Sequence, residues 1–206
     1  MSDASSSDEQ VGRHQQKMQT LKANVDRGIE AAKHEQGVLV FLTGDGKGKS
    51  SSAFGMVMRS LGYGHKVGVV QFIKGVQLSG EELFLKDRHP EVELYQMATG
   101  FTWETQDRLA DIAAAEKAWA VATRMLADES LQLVVLDELT YMLAFNYLEE
   151  ARVLNALQQR PAEQSVVVTG RGGGRGLVEL ADTVAEIKDV KHAYKSGVKA
   201  RQGIDY

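Results

Sequence analysis

From Gly37 onward, short apolar runs alternate with longer segments of helical periodicity. Val38-Leu39-Val40-Phe41-Leu42 and Leu133-Val134-Val135-Leu136 are unbroken apolar stretches, the pattern of strands buried on both faces. Runs of this kind predict strands over 38–42, 67–73, 92–96, 132–136, 165–169 and 183–187. Helices are predicted between them over 49–61, 80–88, 105–127, 147–159 and 174–181. Such alternation predicts an α/β fold with a mostly parallel sheet flanked by helices. The only two prolines, Pro90 and Pro161, fall at predicted breaks, where their missing N–H costs nothing. No internal repeat is visible.

Upstream the pattern changes. Residues 13–34 carry one narrow apolar stripe of Met18, Leu21, Val25, Ile29 and Ala32. The spacing is close to a heptad seam and narrower than the face of a helix sunk in its own core. It fits a peripheral helix on its own domain, or a helix that docks on a second subunit. Residues 1–12, serine-rich and acidic, predict a disordered tail. The expected organisation is therefore a tail (1–12), a helical extension (13–36) and one domain (37–206).

Composition removes several classes of function. The chain has 206 residues, is 43% hydrophobic and carries a net charge of −4; it suffices for one good core and has no global basic field to recruit nucleic acid. With no cysteine, disulfides, thiolate zinc sites, iron–sulfur clusters and a cysteine nucleophile are excluded. No apolar stretch approaches the roughly 20 residues of a membrane span. The first residues lack the basic flank and apolar core of a secretion signal, so a cytoplasmic protein is expected. The five histidines, His14, His34, His65, His89 and His192, show no metal-ligand spacing and read as surface residues.

The chemistry concentrates in Gly44-Asp45-Gly46-Lys47-Gly48-Lys49-Ser50-Ser51, directly after the first predicted strand. Glycines there let successive backbone N–H groups converge on a polyphosphate at a helix N-terminus. Lys49 reaches the outer phosphates, and the Ser50 hydroxyl suits a magnesium ion. The loop departs from G-x-x-x-x-G-K-[ST] at its first position, where Thr43 stands and glycine follows one residue later. The omission points to a specialised loop.

Three further segments are candidates. Asp137-Glu138 ends an apolar strand, where carboxylates contact nucleotide-bound magnesium; a solvated pair capping the next helix is the other reading. Gly170-Arg171-Gly172-Gly173-Gly174-Arg175-Gly176 carries two guanidinium groups that either clamp phosphate or are solvated. Phe101 and Trp103 belong either to a short strand with both rings in the core or to a loop offering aromatic faces to a large flat ligand. The cradle, Asp137-Glu138 and Thr169–Gly172 each follow a predicted strand, so all three are expected on one edge of the sheet. No nucleophile–base arrangement is visible.

Together these residues resemble the P-loop ATP:corrinoid adenosyltransferases, the CobA/CobO/BtuR type. The resemblance runs from about His14 to Tyr206 and rests on Thr43–Lys49, Gln71-Phe72-Ile73-Lys74-Gly75, Gly100-Phe101-Thr102-Trp103, Val135–Tyr141, Thr169–Gly172 and Gly197–Tyr206. Ser50-Ser51 stand where threonines are commoner, and Asp45 where asparagine is common. The resemblance implies a RecA-like P-loop architecture with an N-terminal helix extension. It also implies transfer of the 5′-deoxyadenosyl group of ATP to Co(I) of a corrinoid, with release of tripolyphosphate. ATP would lie reversed in Gly44–Ser51, with Arg171 beside it, Lys49 and Glu138 catalytic, and Mg2+ (or Mn2+) held by Ser50, Glu138 and Asp137. Phe101 and Trp103 would fill the lower face of the corrin. A homodimer with the first helix as a lid over the partner's site, and a reduced flavoprotein as electron donor, are implied as well. The alternatives are a RecA-like ATPase, in which Glu138 activates water, and a carrier that binds nucleotide or corrinoid without turnover.

Overall fold

The computed structural model describes residues 3–73, 78–97, 107–172 and 174–206. Phe101 and Trp103 lie outside the described residues. The chain divides into two compact units, Met1–Glu35 and Gln36–Tyr206.

The first unit is one helix, α1 (Asp3–Ala31). It starts ten residues before the expected 13 and ends three residues short of 34, so it runs through most of the expected tail. The composition allows this: no proline or glycine occurs between Asp3 and Val11, so nothing there breaks a helix. The predicted stripe is on the surface of this unit, with Met18, Leu21, Val25 and Ile29 between 41% and 67% exposed.

The second unit is a six-stranded sheet in the order β3-β2-β4-β5-β1-β6, parallel throughout. Its strands are β1 (Leu39–Thr43), β2 (Val67–Gln71), β3 (Glu93–Gln96), β4 (Leu133–Asp137), β5 (Ser165–Thr169) and β6 (Thr183–Glu186). The helices are α2 (Lys49–Gly62), α3 (Gly80–Arg88), α4 (Arg108–Leu126), α5 (Leu139–Ala144), α6 (Glu150–Gln158) and α7 (Gly174–Leu180). β2 ends at Gln71, two residues before the expected 73, because its neighbours β3 and β4 end at its register partners Gln96 and Asp137. The helix expected over 147–159 begins at Glu150, and the short α5 precedes it.

The period of two along each strand divides the core. Val134, Leu136, Val166 and Val168 face Ala115, Ala118, Trp119 and Ala122 of α4, Met142 of α5 and Leu157 of α6. Leu133, Val135 and Val167 face Ala53, Phe54 and Val57 of α2 on the other side. Both faces are dry, which explains the unbroken apolar strands. A side chain on Gly68 would meet Met125 Sδ at 2.8 Å, so this glycine lets α4 pack close to β2. Capping starts two of the helices. Ser79 Oγ accepts from Glu82 N while Glu82 Oε2 accepts from Ser79 N at the start of α3, and Asp107 accepts from Ala110 N at the start of α4. Parallel strands set all carboxyl ends on one edge, and the site lies there.

Candidate active site

The cradle links β1 to α2 and is shaped by close backbone approach. A Cβ on Gly44 would lie 2.4 Å from Ile187 O, and one on Gly46 would lie 2.7 Å from the same atom. The space is taken by the chain leaving β6, which is clipped to the loop by Gly46 N–H to Ile187 O (2.7 Å) and Ile187 N–H to Thr43 O (2.8 Å). Thr43 thus serves through its carbonyl at the position where the usual motif has glycine. Gly44 and Gly48 adopt positive φ (98° and 120°), which a side chain would strain. No side chain caps α2, so its first N–H groups remain directed at the loop, the arrangement that receives anions.

The two loop lysines behave differently. Lys49 is 6% exposed, and its Nζ donates to Gly44 O (2.7 Å) and Gly46 O (2.8 Å). Burial lowers its pKa, Glu138 opposes that shift, and Arg171 reinforces it. Lys47 instead points to the C-terminus, 3.0 Å from Asp205 Oδ1, with both side chains partly exposed.

Asp137 and Glu138 are adjacent in sequence but unlike in setting. Asp137 is buried; its Oδ1 accepts from Thr169 Oγ1 (2.6 Å) and its Oδ2 from Gln71 Nε2 (3.1 Å). Glu138 has a left-handed backbone, φ 58°, and its N–H donates to Thr169 Oγ1 at 2.9 Å. Its Oε2 is buried without a hydrogen-bond partner. Burial, with the charge of Asp137 behind it, pushes the Glu138 carboxyl up to about 7, against the pull of Lys49 and Arg171. A desolvated carboxylate oxygen facing cationic groups is a site for a proton or a cation.

The Arg171 loop is fixed by its backbone. A Cβ on Gly170 would fall 1.9 Å from Thr140 Oγ1, so only glycine fits. Thr140 Oγ1 donates to Arg171 O (3.1 Å) and Thr43 Oγ1 to Gly172 O (2.9 Å). The exposed Arg171 side chain therefore projects from a pinned main chain at the rim.

A cleft of about 950 Å³ brings these groups together. Its lining includes Asp45, Lys47, Gly48, Lys49, Ser50 and Ser51, with Asp137, Glu138 and Arg171 opposite. The three polar clusters expected on one edge do share it. Phe54, Gln71, His192 and the chain end Gly203–Tyr206 also line it. Apart from the quoted motif ends, residue types gave no signal for these. His192, expected to be an ordinary surface residue, lines the cleft, and its Nδ1 accepts from Tyr194 N (3.2 Å), capping a 3-10 turn at Ala193–Ser196. Gln96 bonds Gln71 from behind. Register places these groups, and residue type alone does not reveal it.

Among the described residues no group of three or more His, Asp or Glu converges on one point. The donor set of Glu138 Oε2, the Ser50 hydroxyl and Asp137 is sparse and hard. That fits Mg2+ or Mn2+ bound mainly through substrate phosphates, as magnesium is commonly held at nucleotide sites. No helix among the described residues is long and apolar enough to cross a membrane.

Comparison with known proteins bears on the fold and the family. The flagellar accessory protein FlaH of Methanocaldococcus jannaschii superposes with a TM-score of 0.52 at 10% identity, covering 79% of this chain and 76% of that one; at that identity the likeness concerns the fold alone. A corrinoid adenosyltransferase of Pseudomonas aeruginosa is 56% identical over 97% of this chain and 98% of its own length. The corrinoid adenosyltransferase of Escherichia coli K12 is 52% identical over 94% of this chain and 98% of its own. The profile of the ATP:corrinoid adenosyltransferase family BtuR/CobO/CobP matches residues 35–206, a span that contains the cradle, the two acids and the chain end. The chain belongs to the ATP:corrinoid adenosyltransferase family.

Proposed function

We propose that this chain transfers the 5′-deoxyadenosyl group of ATP to the Co(I) of a corrinoid and releases tripolyphosphate. The observation that carries the reading is the pairing of a lysine-bearing phosphate cradle with the buried, unpartnered Glu138 oxygen across one cleft, in a member of this family. Co(I) supplies the attacking electron pair, so the protein needs no general base. The Co–C5′ bond forms, the C5′–O bond breaks, and the bonding pair leaves with the triphosphate. Cobalt is oxidised from Co(I) to Co(III) as the carbon accepts its pair.

The protein's own task is then alignment and charge stabilisation. Lys49, Lys47 and the loop N–H groups neutralise the departing polyphosphate, and Arg171 reaches it from the rim. Glu138 and Ser50 hold Mg2+, with Asp137 behind Glu138 as its support. The ion supplies Lewis-acid stabilisation of the phosphate oxygens. Asp45, within the cradle, adds a negative charge beside the polyphosphate that weakens or re-aims its binding. Phe101 and Trp103 take the lower face of the corrin. The resemblance alone supports that assignment, as it does the reduced flavoprotein donor and the cytoplasmic setting. The exposed stripe of α1 supports a homodimer in which this helix serves as a lid over the partner's site.

The test combines ATP, Mg2+ and cob(I)alamin with the protein, following the corrin spectrum and the phosphate product together. Tripolyphosphate with a light-sensitive cobalt–carbon bond is the expected result. Orthophosphate and ADP without cobalt alkylation would instead make the enzyme an ATPase.

A further inference from the structure

Four side chains from four neighbouring strands form a continuous row at the carboxyl edge of the sheet. Gln96 Nε2 of β3 donates to Gln71 Oε1 of β2 at 2.9 Å. Gln71 Nε2 donates to Asp137 Oδ2 of β4 at 3.1 Å. Asp137 Oδ1 accepts from Thr169 Oγ1 of β5 at 2.6 Å, and the same oxygen of Thr169 accepts from Glu138 N at 2.9 Å. Strand register creates the row: Gln71 is level with Gln96 and Asp137, and Thr169 is one step beyond the Leu136–Val168 pair. Gln71, Asp137 and Thr169 are each at most 3% exposed.

The polarity of the row has one origin. Both Asp137 oxygens accept, so Gln71 turns its NH2 to Asp137, and its carbonyl is left for Gln96 to donate to. By the same logic Thr169 gives its single hydrogen to Asp137 and can only accept from Glu138. That last bond holds the left-handed Glu138 peptide, a conformation that is unfavourable for a residue with a side chain. The Glu138 carboxylate follows from that peptide.

We infer that Thr169 and Gln71 are positioning residues for Glu138, and that Gln96 is the outer anchor of the same row. Asp137 transmits the constraint between them. The inference rests on the reading that Glu138 holds the divalent cation. Outer partners of this kind orient a ligand without touching the ion, and their loss typically costs about 10–100-fold in metal affinity.

The test measures Mn2+ binding to the full-length protein in the presence of ATP by electron paramagnetic resonance, with ATP binding in excess chelator alongside. Thr169→Val keeps the shape and removes the hydroxyl; Gln71→Met keeps the length and removes the amide. Each is expected to weaken Mn2+ about tenfold, with metal-free ATP affinity within about twofold of the parent and Thr169→Ser restoring binding. Gln96→Met, at the outer end, is expected to weaken Mn2+ about threefold. Parental Mn2+ affinity in Thr169→Val and Gln71→Met overturns the inference, as does an equal loss of metal-free ATP binding, which would mean general loosening of the cleft. Glu138→Gln separates the two levels. If it alone loses Mn2+, the row has no positioning role and the cation reading stands; if it keeps Mn2+, the cation reading itself falls. If the two buried variants do not fold, Gln96→Met decides, and parental Mn2+ affinity there overturns the row as a unit.

Discussion

The sheet edge and α1 invert the usual arrangement in opposite directions. At the edge, polar groups are buried: Lys49, Gln71, Asp137 and Thr169 are all nearly inaccessible. On α1, apolar groups are exposed: Leu21, Val25 and Ile29 are each more than half accessible. Burying a polar group without a partner costs about 1–3 kcal/mol, so the edge satisfies its groups within the chain, except for one oxygen of Glu138 that has no hydrogen-bond partner. An exposed apolar stripe costs little locally and gains only when another surface covers it. The edge is complete within one subunit; the stripe, on our reading, is completed by a second.

Four experiments would break or sharpen that contrast. The largest effect is expected at Lys49, which donates to the cradle carbonyls and, on our reading, also to the phosphates. Lys49→Ala should lower kcat/KM about a thousandfold in the cob(I)alamin assay, and near-parental turnover would show that the buried edge is not the phosphate site.

Glu138 comes next. The fold favours its protonated form, so its contribution to stability is fully present below the ordinary value of 4.5 and is lost as pH rises through about 7. Glu138→Gln should therefore stabilise the metal-free protein above pH 7, by on the order of 2 kcal/mol. For a domain of this size that is roughly 4–8 °C in Tm, shrinking toward zero near pH 4.5. A Tm difference independent of pH would mean that the carboxylate is not desolvated.

On the other side of the contrast, Val25→Asp with Ile29→Asp should leave the Tm of the 36–206 unit unchanged. It should lower activity about tenfold, a loss of about 1.4 kcal/mol, and shift sedimentation toward monomer. Full activity in a monomer would remove the lid. The smallest effect is expected at the partly exposed Lys47–Asp205 pair. Asp205→Asn should cost no more than about 1 kcal/mol, read as a Tm change of at most about 4 °C.

Much of this was legible in the sequence, and for specific reasons. Strand β5 has its predicted bounds because Val166-Val167-Val168 is a short, wholly β-branched run, which favours a strand over a helix. The cradle was readable because its glycines and Lys49 are contiguous, as phosphate chemistry requires. Where the chain departs from expectation, the missing information was non-local. Nothing in Phe72-Ile73 says that β2 should end at Gln71; its neighbours' ends decide that. Gln71 stands in a quoted motif, but nothing in that motif or around Gln96 says that the two bond each other or that Gln71 bonds a carboxylate 66 positions away. His192 carries no motif, and only the return of the chain end to the cradle brings it to the cleft.

The sequence by itself determined the α/β class, the phosphate loop, the acids at a strand end and the family. Each of these is written in short-range periodicity or in contiguous residues. Only the tertiary structure decided that both Asp137 oxygens are hydrogen-bonded while Glu138 keeps an unpartnered one, that Lys49 turns inward while Lys47 turns to Asp205, and that Gln96, Gln71 and Thr169 stand in one row. Those outcomes depend on the register between strands far apart in the chain. Register is set by the packing of the whole sheet, which no local pattern of residues encodes.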